Sequence, residues 1–159
     1  MTQKSDNRHG FRGYITSKPF MGERAPQHIQ NLVIRDYASR NGLTYLLSSS
    51  EYAMAGSQMI LDQVLLDLDR LEGVICYSIF QLPVNRTRRR VVYDKIIEAG
   101  CSLHSAVEGL VVRTADDAGH VESIWRVRQT LASCPDAKLV QRVLQAERPG
   151  TGRDKSEFV

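Results

Sequence analysis

No glycine cradle for a nucleotide phosphate is written into this chain: GxGxxG is missing after the first apolar run, and GxxxxGK[ST] is missing throughout. Dinucleotide and P-loop nucleotide binding therefore have no support. There is no HExxH and no His/Asp/Cys set at metal-ligand spacing, so the expected mechanism uses neither metal nor cofactor. Cysteine is scarce as well. Cys76, Cys101 and Cys134 are odd in number, widely spaced and without a CxxC pair, which argues against a disulfide framework or zinc site and suits a reducing compartment. No window reaches the length of a membrane span, and the polar start MTQKSDNRHG lacks the apolar stretch of a secretory signal. A cytoplasmic location is expected. A charge surplus of either sign is also lacking: 21 Lys and Arg against 18 Asp and Glu leave a net charge of +3. Nucleic-acid-binding domains concentrate a far stronger basic surplus, so a nucleic-acid partner is not expected.

What is present suffices for one packed domain: 159 residues, 42% of them hydrophobic. Residues 11–147 read as a single α/β domain, with 1–10 and 148–159 as disordered tails. Short apolar runs at 11–17 (FRGYITS), 43–48 (LTYLLS), 73–79 (GVICYSI) and 101–107 (CSLHSAV) read as strands, and GLVVR (109–113) as a short edge strand. Amphipathic stretches alternate with them. Ile29, Leu32, Val33 and Tyr37 share one face of a first helix, Ile60, Val64, Leu68 and Leu71 one face of a second. In a third helix, 86–99, Val92, Ile96 and Ala99 point inward, which turns Arg88 and Arg89 toward water. TADDAG reads as a loop. Beyond it come two further helices, one with Val121, Ile124, Trp125 and Leu131 on a face, the other with Leu139, Val140, Val143 and Leu144.

This alternation predicts a three-layer α/β fold with a mostly parallel sheet of four to five strands and extra C-terminal helices. GVICYSI, the most apolar strand, belongs at its centre. The apolar stripes on the last two helices exceed what one small sheet covers, so a homo-oligomer is expected.

Right-handed crossovers place every strand-to-helix loop on one edge of such a sheet. The loops there bring Ser17, Lys18, Arg24, Gln27, His28, Glu51, Tyr52, Ser57, Gln81, Asn85, Arg86, His104 and Glu108. Glu51, Tyr52, His104 and Glu108 are the candidates for proton transfer, since a carboxylate with an imidazole or phenol supplies base and acid. Ser17, Lys18, Arg24, Gln27, His28, Gln81 and Arg86 are the candidates for ligand binding, with Lys18, Arg24 and Arg86 holding a phosphate or carboxylate. Arg86 stands at a helix mouth, where free N–H groups favour an anion. The plainer alternatives are a core histidine at 104 and a solvated face for RTRRR (86–90).

Over roughly residues 12 to 113, the succession RGYITS, IQNLVIRDYASRNGL, EYAMAGS, GVICYSIFQL and IIEAGCSLHSAVEGL is similar to the catalytic domain of resolvase- and invertase-type serine recombinases. That resemblance implies a resolvase-like, Rossmann-like sheet. The family's chemistry needs an Arg-x-Ser on the first strand and Asp-Arg-Leu-x-Arg after the third. Here Thr16 stands for the arginine, Lys18 for the serine with Ser17 one position out of register, Phe80 and Gln81 for the Asp-Arg pair, and Val84 for the last arginine. These departures remove the strand-transfer chemistry that the resemblance would otherwise imply. Residues 11 to 125, with GYITSKPF, PQHIQNLVIRDY and LLSSSEYAM, also resemble a sporadic family of proteins from bacterial surface-carbohydrate gene clusters. That second resemblance implies polysaccharide or lipopolysaccharide biosynthesis, with a sugar phosphate or nucleotide sugar as ligand. A recombinase-related DNA-binding protein and a noncatalytic partner of another pathway enzyme are the alternatives.

Overall fold

A computed structural model of the chain describes residues 7–20, 22 and 24–146. Residues 1–6 and the predicted C-terminal tail lie outside them. Five strands form one sheet in the order β2-β1-β3-β4-β5: β1 Phe11–Thr16, β2 Tyr45–Glu51, β3 Gly73–Cys76, β4 Ser102–Ser105 and β5 Leu110–Val112. The first four run parallel and β5 returns antiparallel against β4. As the unbroken apolar run required, β3 is the middle strand, buried at all four positions. Gly73 is fixed by that position, because a Cβ there would run into the Ser102 carbonyl oxygen and the Phe11 ring.

The helices cover both faces. α1, Gln27–Arg40, packs Ile34, Tyr37 and Ala38 against Phe11, Ile15 and Ile75 on one side. On the other side α2, Met59–Leu66, and α3, Arg86–Glu98, together with the first half of α4, Ala115–Ser133, enclose Tyr14, Leu61, Val64, Val92, Ile96, Val121 and Trp125. Residues from 126 onward form a second compact unit, the end of α4 followed by α5, Ala137–Ala146. In that unit Val127, Leu131, Leu139, Val140, Val143 and Leu144 are exposed.

Three expectations about faces and ends are corrected. The buried stripe of α1 is Gln30, Ile34, Tyr37 and Ala38, while Ile29 and Leu32 are exposed; the helix is turned so that the Gln30 amide enters the core. TADDAG is not a loop, since α4 begins at Ala115. Its start is a reciprocal cap: Asp117 Oδ2 accepts from the Arg113 and Thr114 backbone N–H groups at 2.9 and 3.1 Å, and Thr114 Oγ1 accepts from the Asp117 N–H at 3.3 Å.

The third correction is Arg89, which does not face water but is 1% exposed. It falls in the buried stripe Arg89, Val92, Tyr93, Ile96, the i, i+3, i+4, i+7 spacing of a core face. Its guanidinium donates through Nε and Nη2 to the two carboxylate oxygens of Glu122, at 2.7 and 2.9 Å, and through Nη1 to the carbonyls of Pro83 and Val84, at 3.1 and 2.6 Å. It also lies 4.0 Å from the centre of the Trp125 ring, so the charge is matched in every direction. Burial alone would raise the Glu122 carboxyl, but the bonds from Arg89 and from Tyr93 Oη outweigh it and hold the carboxyl below its ordinary range.

His104 belongs to the opposite core layer, under α1. It is 3% exposed, Nδ1 is bonded to Tyr37 Oη and Nε2 to Ser102 Oγ, both at 2.9 Å, and Phe11 and Tyr37 meet its ring edge-on. Burial, aided by the positive charge of Arg113, pushes its pKa down from 6.5 to about 4. Both nitrogens are occupied and the ring is neutral near pH 7, so the core reading of this histidine holds over the proton-transfer one.

Replacing Arg89 with alanine strands the Glu122 carboxylate, and the expected loss is about 3 kcal/mol or more in urea unfolding; a loss within about 0.5 kcal/mol, typical of a solvated arginine, would contradict the buried pair. His104 makes a pH-dependent contribution of definite sign. Its folded pKa lies below its unfolded one, so the stabilisation is complete above pH 6.5 and drains away as pH falls toward 4. The wild-type protein should lose about 2 kcal/mol relative to His104→Gln over that interval, with residual solvent screening allowed for. An NMR titration of the His104 ring with a midpoint near 6.5 would refute this.

Candidate functional site

Because β1 to β4 are parallel, Thr16, Glu51, Cys76 and Ser105 end on one edge of the sheet. Two buried amides tie the loops there together. Gln30 of α1, fully buried, accepts from the Thr16 N–H at 3.2 Å and donates to the Thr16 and Ala25 carbonyls, both at 2.7 Å. Its oxygen also accepts from Gln81 Nε2 at 2.7 Å, and Gln81 Oε1 in turn accepts from the Tyr77 and Ser78 N–H groups at 3.1 and 3.4 Å. One amide pair therefore fixes the loop after β1 against the turn after β3.

The two candidate carboxylates do the same for other loops. Glu51, 2% exposed, accepts through Oε1 from the Tyr52 and Ile60 N–H groups and Ser57 Oγ, and through Oε2 from Tyr14 Oη and the Leu61 N–H, all at 3.0 to 3.3 Å. It thus supplies the cap for the start of α2 that Gln58 does not. Burial works to raise its pKa, yet the bonds from the Leu61, Tyr52 and Ile60 N–H groups and from Ser57 hold it below the ordinary carboxylate range. The Tyr14 phenol beside it is pushed far up, by burial first and by the Glu51 charge second. Glu108 accepts from Ser78 Oγ and Ser105 Oγ, each at 2.6 Å, and from the Ile79 N–H at 3.1 Å. It caps the 3-10 turn Ile79–Gln81.

The four residues expected to exchange protons do not meet. Glu51 and Glu108 anchor separate loops, with five and three donors respectively, His104 is in the core, and the Tyr52 ring is half exposed. The expected ligand set is divided too. Arg24 and His28 are exposed, Gln27 donates to Ser50 Oγ at 2.7 Å, and Arg86, 63% exposed, pairs with Glu122 at 3.6 Å. Arg86 is the first residue of α3, and the Asn85 side chain caps the helix there, accepting from the Arg88 N–H at 3.1 Å.

Lys18 and Gln81 do come together, in a cleft of about 190 Å³ at the ends of β1 and β3. Tyr14, Thr16, Gly56 and Gln58 line it together with the apolar Pro19, Phe20, Phe80, Leu82, Pro83 and Val84. Lys18 Nζ donates to the Ser57 carbonyl. It is the one cation lining the cleft among the described residues, and no carboxylate lines it; Ser17 is not part of the lining. All five residues that replace the recombinase signature, Thr16, Lys18, Phe80, Gln81 and Val84, line this one cleft. Sequence reading missed Tyr14, Phe20, Gln58 and Pro83. Only the loop membership of Phe20, Gln58 and Pro83 could have pointed to them.

Among the described residues no helix is long and apolar enough to cross a membrane, and no group of three or more His, Cys, Asp and Glu is placed to hold a metal. No protein-family model matches the chain. No curated protein matches it either, so nothing in the comparisons connects it with carbohydrate biosynthesis. Solved structures do match. A resolvase family site-specific recombinase from Streptococcus pneumoniae aligns with a TM-score of 0.55 at 10% identity, over 87% of this chain and 99% of that one. The N-terminal catalytic domain of TP901-1 integrase aligns with a TM-score of 0.52 at 14% identity, over 84% and 98%. At these identities the likeness is one of fold, and the chain has a resolvase-like α/β fold.

Proposed function

We propose that this chain is a recombinase-related protein that keeps the resolvase-like fold and acts by binding, without strand transfer. The observation that carries the reading is the lining of the cleft at the ends of β1 and β3, where the recombinase positions hold Thr16, Lys18, Phe80, Gln81 and Val84. Attack on a phosphodiester builds charge on the phosphate oxygens, and converging guanidinium groups must stabilise it. The cleft offers a single ammonium. Of the arginines of α3, Arg89 and Arg86 pair with Glu122, and Arg88, which does not line the cleft, gives one N–H to Gln58 Oε1 at its edge.

The structural neighbours are a site-specific recombinase and an integrase catalytic domain, which favours a nucleic-acid partner held noncovalently over the sugar-phosphate partner expected from the sequence. One lysine is also a poor match for a phosphate dianion. A nicked suicide duplex incubated with the protein should give neither new nicks nor a covalent adduct on a denaturing gel. An adduct that disappears in Ser17→Ala would overturn the reading.

A second copy of the chain is the partner we assign to the apolar residues of α5. Four of its ten residues, Leu139, Val140, Val143 and Leu144, are exposed apolar side chains at i, i+1, i+4 and i+5, a stripe suited to packing against its own symmetry mate. Sedimentation at micromolar concentration should show a dimer or larger species, reduced to monomer by Val143→Glu. A wild-type monomer would refute the assignment.

A further inference from the structure

Three side chains of the cleft have donors to spare, and these suit an anion. Lys18 Nζ gives one N–H to the Ser57 carbonyl and keeps two. Thr16 Oγ1 accepts from the Lys18 N–H at 3.1 Å, and its own hydroxyl hydrogen meets no acceptor among the described residues. Gln58 Oε1 accepts from Arg88 Nη1 at 3.2 Å, which leaves its amide NH₂ without an acceptor among them. Several acceptors there are already engaged: both carbonyls of Pro83 and Val84 receive Arg89 Nη1, and the Gln81 oxygen receives two backbone N–H groups.

The walls are flat and apolar. Phe20 stands edge-on to Tyr77 and Phe80 edge-on to Trp125, so both rings are held in place beside Pro19 and Pro83. A dry apolar cavity of about 150 Å³ accepts benzene, and this cleft measures about 190 Å³. Sharing with the reading above only that the cleft binds without strand transfer, and going beyond its nucleic-acid partner, we propose that the cleft itself binds a small organic monoanion, a carboxylate carried on a planar apolar body. The carboxylate meets the Lys18 ammonium, the Thr16 hydroxyl and the Gln58 amide, and the body lies between the Phe20 and Phe80 walls. One cation balances one negative charge, so inorganic phosphate is a poorer fit. A neutral amide brings donors to a site that already has donors.

The test uses benzoate as the probe and the full chain labelled for NMR. Titration should move the Thr16 and Lys18 backbone signals and the Gln58 side-chain amide saturably, at about millimolar concentration for so small a ligand. Lys18→Met should weaken binding by about tenfold or more, the worth of a charge-assisted hydrogen bond. Val84→Trp, a change at an exposed wall position that fills the cleft, should abolish it. Both variants should keep the remaining spectrum. Benzamide and inorganic phosphate should leave the three signals in place. Absence of benzoate shifts, unchanged affinity in Lys18→Met with its spectrum intact, or equal response to benzamide or phosphate would each overturn the inference. A covalent DNA adduct instead defeats the binding role beneath it, so the two failures are told apart.

Discussion

An amide buried at the end of a sheet must find partners for both its oxygen and its nitrogen, because leaving either unpaired costs about 1–3 kcal/mol. Gln30 and Gln81 meet that requirement through each other and through the backbone around Thr16, Ala25, Tyr77 and Ser78. The arrangement fixes the rotation of α1, since Gln30 reaches β1 only if Ile34 and Tyr37 follow it inward. It also sets the path of the chain beyond β3, and with it the positions of Phe80, Pro83 and Val84. The cleft is the space left between those two constrained loops.

The charged groups of this edge follow the same logic. Glu51 and Glu108 each gather N–H and hydroxyl donors from the next loop along the sheet. Glu51, with five donors, is held below the ordinary carboxylate range and has no lone pair left for a substrate. Acid–base chemistry needs a group whose pKa is moved toward neutrality; Glu51 is moved the other way, and His104 falls to about 4. The perturbed groups of this protein are features of its scaffold, a common reason for shifted pKa values outside active sites.

Much of this was legible in the sequence. Unbroken apolar runs marked β1 to β4, and the strongest of them marked the central strand. The recombinase resemblance gave the sheet, and its five departures turned out to line one cleft. What was hidden were the places where a polar side chain goes inside. Gln30 fits the stripe of α1 and Arg89 that of α3, but each becomes tolerable in the core only through a partner distant in sequence, Gln81 and Glu122. Single-chain periodicity carries no information about such pairs. TADDAG misled for a related reason, since its glycine and two aspartates suit a loop as well as the capped first turn they form. Several rim residues expected in loops stand instead at element ends, Gln27 and His28 in α1, Glu51 in β2, Arg86 in α3 and His104 in β4, and proximity to the right edge does not announce which way a side chain turns. Glu51 and Arg86, adjacent to the right edge, therefore point to α2 and to Glu122 and not to a common ligand.

The recombinase positions also could not be refilled one at a time. Gln81 stands where that family has an arginine, but its amide oxygen receives two backbone N–H groups and its nitrogen holds Gln30. A guanidinium has no acceptor atom, so an arginine at 81 could still donate to Gln30 but would leave the Tyr77 and Ser78 N–H groups without the acceptor that Gln81 Oε1 supplies. Val84 is held by its carbonyl to Arg89, which ties the wall of the cleft to Glu122 of α4. Phe80 leans on Trp125, the same ring that Arg89 covers. The cleft is therefore anchored in both core and rim: the residues that line it at 80, 81 and 84 are each held by a partner outside it, Trp125, Gln30 and Arg89.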